Sequence, residues 1–293
     1  MKLPDFIGVG PSRTGSTWLY NALRDSVDMP AGAKDTHFYH NLYDKGLDWY
    51  ADHFRYATGE RKIVEICPGA FFRPLTPERI KADIPNCKIF TTIRNPVDRI
   101  HSVYKLQRHY GVIRKTLDQM LVVFPDLGGG NRYASLLKKW FDLFGRENVL
   151  VTNFDELRNE PQKYLNRVTD FMDVERISLA DRNLTDDANA FTVAPKSRKL
   201  ARRATSVLNW LNGHQAYGVV DALGRAGVWE FCHGRGEPFA PLSPEQEASL
   251  RQRYLPEVEA LEELLKIDLS AWKKPRAPRN LKDAPRTQLS STG

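Results

Sequence analysis

Near its start the chain carries a short segment suited to binding an anionic group. An apolar strand beginning at Phe6 runs into a glycine-bracketed turn and then into the start of a helix. Such a strand-turn-helix junction directs backbone N–H groups and the positive end of the helix dipole to one point. The segment therefore predicts a phosphate- or sulfate-binding loop. Its candidate ligand-binding residues are Arg13, Thr14, Gly15, Ser16, Thr17 and Trp18.

The loop departs from the nucleotide-binding pattern G-x-x-x-x-G-K-[ST] at one position. Gly10, Gly15 and Thr17 match the pattern. Ser16 stands where the lysine belongs, and in P-loop NTPases that lysine reaches the outer phosphates of a magnesium-bound triphosphate. A triphosphate is therefore disfavoured. Arg13 lies inside the loop instead, and its guanidinium can bind a phosphate or sulfate with two N–H groups.

A second segment predicts a second anion site. The apolar run over residues 88–93 is typical of a buried strand, Asn95 is a good helix N-cap, and Pro96 suits the first helical position. Arg94 is thus expected at the end of a strand, beside a helix N-terminus. Ser102 follows two turns later, so its hydroxyl can join the Arg94 guanidinium on one phosphate.

Together the two segments resemble the sulfotransferases that use 3′-phosphoadenosine 5′-phosphosulfate (PAPS), in particular a bacterial group related to the heparan sulfate and carbohydrate sulfotransferases. The 5′-phosphosulfate loop of that family is matched by R-T-G-S-T-W, starting at Arg13. The 3′-phosphate motif is matched by R-N-P-x-x-R-x-x-S-x-Y, starting at Arg94. The resemblance implies PAPS as the sulfuryl donor, 3′-phosphoadenosine 5′-phosphate (PAP) as the released product, and no metal ion.

Between the two motifs the resemblance implies a catalytic base. The run K-D-T-H-F-Y, starting at Lys34, and the run G-L-D-W-Y, starting at Gly46, resemble the E-x-H-F-F and G-x-x-W-Y segments of the heparan sulfate enzymes. Asp35 occupies the position of the acidic base, with His37 as a supporting polar group. Aspartate is one methylene shorter than glutamate. Either the acceptor comes closer to the backbone or a different residue is the base, with Glu65 or His37 next. Glu65 itself lies either in the acceptor site or at a strand end, paired with a nearby cation.

Two further departures limit what the resemblance implies. The family most often has lysine at Arg13, and arginine cannot donate its proton near neutral pH. Arg13 is therefore predicted to stabilise the leaving phosphate electrostatically. Ile66 stands where the heparan sulfate enzymes have a lysine between donor and acceptor. This counts against simply transferring a heparan-type acceptor.

A later basic stretch is the candidate for closing over the 3′-phosphate. Its candidate residues are Lys196, Arg198 and Lys199. In the sulfotransferases a late basic loop often has this role. A solvated helix start explains the same residues equally well.

The predicted activity is sulfuryl transfer to a small-molecule or glycan acceptor. The acceptor group is a hydroxyl, with an amine as second choice, on a glycan, glycolipid or secondary metabolite. One alternative is a small-molecule kinase of the P-loop type, which needs magnesium and ATP. Another is a nucleotide-binding module without catalysis. Nucleic-acid binding is disfavoured because the sequence has a basic charge but no nucleic-acid recognition motif.

The alternation of apolar runs predicts an α/β fold. Strands are expected over residues 6–9, 62–66, 88–93 and 149–153, in one domain with a central parallel sheet flanked by helices. Amphipathic helices are expected over 133–144 and 161–172, and from Ser243 through Leu265. Both anion motifs lie at carboxyl ends of strands, where open α/β sheets bind ligands. Residues 174–240 are left to the acceptor pocket and lid.

Length and composition are typical of a cytoplasmic enzyme. The chain has 293 residues and a net charge of +7 from 43 basic and 36 acidic side chains. No apolar run approaches the roughly 20 residues that span a bilayer, and the first strand leaves no room for a signal peptide. Three cysteines without a C-x-x-C pair predict neither a disulfide framework nor a zinc site. We expect a sulfotransferase domain over residues 1–272 and a basic, disordered tail over 273–293; the oligomeric state stays open.

Overall fold

Four parallel strands form the centre of the fold. The computed structural model describes residues 1–124, 126–127, 129–180 and 193–275. The strands are β1 (Phe6–Gly10), β2 (Val64–Ile66), β3 (Lys88–Ile93) and β4 (Val149–Asn153), in the order β2-β1-β3-β4. In this register Ile7 lies level with Glu65 on one side and Ile89 on the other. The predicted α/β fold with a central parallel sheet is confirmed, and β3 and β4 have the predicted bounds.

Thirteen α-helices are found within the described residues. They are α1 (Ser16–Leu23), α2 (Leu47–Asp52), α3 (Thr76–Asp83), α4 (Pro96–His109), α5 (Leu117–Val123), α6 (Tyr133–Phe144), α7 (Phe154–Asn159), α8 (Pro161–Met172), α9 (Arg198–Gly213), α10 (Tyr217–Arg225), α11 (Val228–His233), α12 (Pro244–Leu265) and α13 (Ser270–Lys273). A π-helical turn covers Phe38–Leu42. Helices α6, α8 and α12 have the predicted positions. Across these described ranges, no helix combines the length and apolar character needed to cross a membrane.

The helices cover the sheet on both faces because alternate strand residues point in opposite directions. Ile7 and Val9 belong to a core with α6, α12 and α13, whereas Phe6 belongs to a second core with α1 and α8. Gly8 leaves room for the second core: a Cβ on it would lie 2.4 Å from the Phe90 ring. Val258, Leu261 and Trp272 complete the first core from the C-terminal part of the chain.

In its described residues, 174–180 and 193–240, the stretch left without predicted elements is largely helical. It contains α9, α10 and α11, together with the antiparallel strands β5 (Val193–Pro195) and β6 (Arg235–Pro238). Each of these strands has only three or four residues and ends at a proline. They are too short to give an alternating pattern. The predicted tail begins at Lys273, which is the last residue of α13 and pairs with Glu262 at 2.7 Å; residues 276–293 lie outside the described residues.

Glu65 on β2 fastens the segment that carries the predicted base. Its side chain is fully buried. Oε1 accepts hydrogen bonds from the Thr36 N–H at 2.9 Å and from Thr36 Oγ1 at 2.6 Å, and Oε2 accepts one from the Tyr50 hydroxyl at 2.7 Å. Burial, and then the charge of Asp35, raise the pKa of Glu65 to about 7. Glu65 thus binds amide and hydroxyl donors of its own chain, and its part in the acceptor site stays a prediction.

Substituting Glu65→Gln should change how stability depends on pH. A carboxyl whose pKa is higher in the folded chain binds its proton more tightly there, so its contribution to stability falls as pH rises from 4.5 to about 7. Glutamine keeps the shape, and its amide can bond to Thr36 and Tyr50 without titrating. We expect wild type to lose up to about 3 kcal/mol of unfolding free energy relative to the variant over this interval.

Urea unfolding of both proteins at about pH 5 and about pH 7.5 measures this difference. The pH dependence of groups that do not interact with Glu65 cancels when the two proteins are compared. Equal pH dependence in both would contradict a raised pKa at Glu65.

Candidate active site

Side-chain donors tie back the loop between β1 and α1 through its carbonyl oxygens. The bonds join Thr14 Oγ1 to Pro11 O at 2.7 Å, Arg99 Nε to Ser12 O at 3.0 Å, and Arg94 Nη1 to Arg13 O at 2.7 Å. The negative ends of three peptide units are thus bonded within the protein. Arg94 and Arg99 both come from the second sequence motif, so the two motifs are physically one site.

Two glycines of the loop are required by its backbone. Gly10 and Gly15 have φ angles of 94° and 90°, in the left-handed region. A Cβ on Gly10 would lie 2.4 Å from Pro68 O, and one on Gly15 would lie 2.4 Å from the Leu157 side chain. Gly15 is the N-cap of α1 and leaves the first N–H groups of that helix without intrahelical acceptors. This is the local geometry that binds an anion.

A lysine reaches this loop from another part of the chain. Lys34 Nζ donates to Ser16 Oγ at 3.2 Å and to Thr17 Oγ1 at 3.1 Å. Burial lowers the pKa of Lys34; the charge of Asp35 opposes this shift, and that of Arg13 adds to it. No role was predicted for Lys34 from the sequence, although this residue directly precedes the predicted base. Its position next to Asp35 is the sequence feature that could have indicated a role in the site.

Arg13 turns its side chain towards α4. Its Nε donates to Ser102 Oγ at 2.7 Å, in the second turn of that helix. Burial, and then the neighbouring Arg94, lower the pKa of Arg13 to about 10, so the guanidinium is charged at neutral pH. The Arg94 guanidinium lies 4.3 Å from the centre of the Phe154 ring. Ser102 therefore contacts Arg13, and Arg94 is linked to Ser102 through the same residue.

Two other predicted loop residues face inward. Thr14 is buried, with its hydroxyl on the loop itself. Trp18 packs against the core between the sheet and α8, with its ring edge to face with Tyr164 at 5.9 Å. The contribution of both to ligand binding stays a prediction.

Asp35 lies in a small hydrogen-bonded ring of polar side chains. Its Oδ1 accepts from the His37 N–H at 2.8 Å, and its Oδ2 lies 3.4 Å from His37 Nδ1. His37 Nδ1 is 3.1 Å from His40 Nε2, and His40 Nδ1 is 3.2 Å from Cys67 Sγ. Burial lowers the pKa of His40 to about 4, so this imidazole is neutral. The structure thus brings Asp35 and His37 together as the sequence predicted.

Three members of this ring have the geometry of metal ligands. One ligand atom from each of Asp35, His40 and Cys67 lies within 4.8 Å of the other two. Burial, and then the charges of Asp35 and Glu65, raise the pKa of the Cys67 thiol well above its usual range. A metal ion bound here through Cys67 must therefore displace the proton of the thiol, which is tightly held.

The late basic residues lie where α9 meets the end of α4. Arg198 Nη1 lies 3.4 Å from Gly111 O, just past the last residue of α4. Gly111 is required here, because a Cβ would lie 2.6 Å from Arg198 O. Lys196 and Lys199 are exposed beside it. All three thus lie near the C-terminal end of the helix that carries Ser102; their contact with a 3′-phosphate stays a prediction.

Helix α10 covers the segment that bears Asp35. The Tyr217 hydroxyl lies 2.9 Å from His53 Nε2, and a Cβ on Gly32 would lie 2.6 Å from the Tyr217 ring. Burial, and then the charges of Glu65 and Asp35, raise the pKa of Tyr217 to about 12. A helix from the stretch that the sequence left unassigned therefore borders the predicted base.

Comparison with known proteins identifies relatives of the first two thirds of the chain. Residues 3–195 match the sulfotransferase domain. The bifunctional heparan sulfate N-deacetylase/N-sulfotransferase 1 of Mus musculus is 26% identical over 196 residues, covering 59% of this chain and 22% of that protein. The corresponding enzyme 2 of Homo sapiens is 27% identical over 214 residues, covering 65% of this chain and 24% of that protein. The chain thus spans less than a quarter of the length of these relatives.

The crystal structure of a sulfotransferase from Alicyclobacillus acidocaldarius shares the fold over almost the whole chain. Its TM-score is 0.66 at 22% identity, and the match covers 94% of this chain and 100% of that one. The shared fold therefore extends beyond the residues of the family match. The resemblance to the sulfotransferases, with relatives among the heparan sulfate enzymes, is confirmed. Since the matched residues contain the phosphate loop, the base segment and the second arginine motif, this chain belongs to the sulfotransferase family.

Proposed function

We propose that this enzyme transfers the sulfuryl group of PAPS to an acceptor hydroxyl, with an amine as second choice, and releases PAP. The observation that carries the proposal is the gathering of cations around one loop. Arg13 belongs to the loop, Arg94 bonds to its backbone, and Lys34 bonds to the hydroxyls at the start of α1. A carboxylate, Asp35, directly follows Lys34. Such a site suits a donor with two anionic ends and an acceptor that must lose a proton.

In the proposed reaction the acceptor oxygen forms a bond to sulfur while the bond from sulfur to the bridging oxygen of the 5′-phosphate breaks. The electron pair of the broken bond stays on the phosphate. Positive charge at the loop and the N–H groups of α1 stabilise the charge that grows there. Asp35 accepts the acceptor proton, and a base in this position contributes roughly 10²–10⁴ in rate. Positioning of the reactants and electrostatic stabilisation supply the rest of the rate acceleration.

The proposed acceptor is a glycan, glycolipid or secondary metabolite. The relatives are named for N-sulfation of heparan sulfate, which keeps an amine-bearing glycan among the candidates. Ile66 is buried in the core with α1 and α8, so no cation stands at the position of the heparan enzymes' lysine. Helices α9, α10 and α11 lie beyond the family match, and we assign acceptor choice to them. Two glycans that differ only in a free or N-acetylated amine would separate N- from O-sulfation.

Calorimetry tests the donor first. We expect PAP to bind with micromolar affinity and AMP much more weakly, because only PAP carries the 3′-phosphate. Magnesium-ATP in the same buffer and salt is the comparison for a kinase-like site. Preference for magnesium-ATP, or no binding of PAP, would contradict the proposed donor.

Substituting Arg94→Ala should weaken PAP binding about tenfold or more, since one charge-assisted contact is lost. AMP affinity should change less, so the ratio of the two affinities should fall. Arg94→Lys is the matched variant, because it keeps the charge but not the paired N–H groups. An unchanged ratio in Arg94→Ala would mean that Arg94 only supports the loop through Arg13 O.

Substituting Asp35→Asn should spare PAP binding and lower turnover by roughly 10²–10⁴, because the amide keeps the bond to His37 N–H but cannot accept the proton. Transfer of radiolabelled sulfate from PAPS measures turnover. Asp44→Asn, at an exposed carboxylate of the same region, is the control. Normal turnover in Asp35→Asn would move the base to His37 or Glu65. Loss of wild-type turnover on chelation would instead assign Asp35 to a metal.

A further inference from the structure

We infer that Lys34 supplies the cation for the 5′-phosphosulfate, and that Arg13, although it lies inside the loop, serves the 3′-phosphate. This inference rests on the proposed function, since both roles refer to the two ends of PAPS. This assignment differs from the one made from sequence, in which Arg13 alone replaces the missing lysine. It also gives a function to a residue that belongs to neither arginine motif.

The position of Lys34 supports the first half. Its ammonium group bonds to the hydroxyls of Ser16 and Thr17, the first two residues of α1. This is the end of the helix where backbone N–H groups attract an anion. Ser16 stands at the lysine position of the nucleotide-binding pattern, so the ammonium is brought to that position from outside the loop. The fold thus places a lysine ammonium where the loop sequence itself has no lysine.

The direction of Arg13 supports the second half. Its backbone has φ 72°, and its Nε donates to Ser102 Oγ on α4. Its charge also acts on Tyr110, at the C-terminal end of the same helix. The Arg13 guanidinium therefore lies along α4 with Ser102, the serine of the 3′-phosphate motif. Arg94 bonds to the carbonyl of Arg13 and holds this arrangement from behind.

Neighbouring groups make Lys34 a strong partner for an anion. Its pKa is lowered chiefly by burial, which means that water solvates the ammonium poorly. Glu65 fixes the following turn through Thr36, so the segment cannot easily carry the ammonium away. A bound 5′-phosphate replaces the missing hydration. As the bond to sulfur breaks, the negative charge on that phosphate grows, and the attraction of Lys34 grows with it.

One segment then presents opposite charges to the two reactants. Lys34 faces the donor phosphate, and Asp35 comes next in the chain for the acceptor. Displacing the segment would therefore disturb donor binding and proton removal together.

The test compares two ligands on matched variants. PAP and AMP share the 5′-phosphate, and only PAP has the 3′-phosphate. We expect Lys34→Met to weaken both ligands about tenfold and to leave the ratio of their affinities unchanged. Arg13→Met should leave AMP binding near wild type and remove most of the preference for PAP. Lys138→Met is the control, since Lys138 lies exposed on α6 and pairs with Asp142.

Turnover adds a second readout. With PAPS as donor, Lys34→Met should lower kcat more than it raises the KM for PAPS, because the charge on the 5′-phosphate increases in the transition state. Lys34→Arg keeps the charge, so it should recover part of the AMP affinity. Recovery by this variant separates loss of the cation from a general disturbance of the fold.

The outcomes distinguish this inference from the proposed function. Wild-type AMP affinity in Lys34→Met, or a large loss of AMP affinity in Arg13→Met, would overturn the division of roles while PAP binding by wild type still supports the proposed function. If Lys34→Met does not fold, failure of Lys34→Arg to bind AMP more tightly than Lys34→Gln would overturn it. Failure of the wild-type protein to bind PAP would overturn both.

Discussion

Repulsion between like charges is the constraint around which this site is built. Burial is the main cause that lowers the pKa of Arg13 and of Lys34. The charge of Arg94 adds to the shift at Arg13, and the charge of Arg13 adds to the shift at Lys34, where Asp35 opposes it. Such a cluster is unfavourable by itself, because burial and repulsion both disfavour the charged forms. The surrounding structure must hold it in place until an anion arrives. The tied-back carbonyls of the loop and the helix start at Ser16 supply that support.

The parallel sheet makes this concentration of charge possible. β1 and β3 are neighbours and end at the same edge, so the loop after β1 and the arginine after β3 meet without any long connection. β2 lies on the other side of β1 and carries Glu65, which fastens the segment with Lys34 and Asp35. Each of the three strands therefore contributes one part of the site. The cations come from separate stretches of sequence, one of which also carries the proposed base, and the strand order brings these stretches to one edge of the sheet.

Much of the fold could be predicted where the local sequence pattern is strong. The buried strands β3 and β4, and the amphipathic helices α6 and α8, have the predicted bounds, because long regular periodicity leaves few alternatives. The loop glycines were equally readable, since their backbone angles admit little else. The roles assigned to Asp35 and Arg94 stay predictions, although the structure shows their surroundings.

What escaped prediction depends on contacts between distant residues. Lys34 reaches the loop through a turn whose path is set by Glu65, and no local pattern encodes that path. The partners of Glu65 within the chain, an amide and two hydroxyls, were likewise not predictable from local sequence. Helices α9 to α11 pack with one another and with β5. Their sequences have apolar residues at helical spacing, but that pattern does not say which part of the fold they cover.

The C-terminal helices complete the first core, and this limits where the chain can be cut. The family match ends at residue 195, yet Val258, Leu261 and Trp272 pack into the core under the sheet with Ile7 and Trp140. A fragment cut at the edge of the matched region would expose that core to water. Chimeras that exchange acceptor specificity should therefore replace α9 to α11 as an insert and retain α12 and α13 with the sheet.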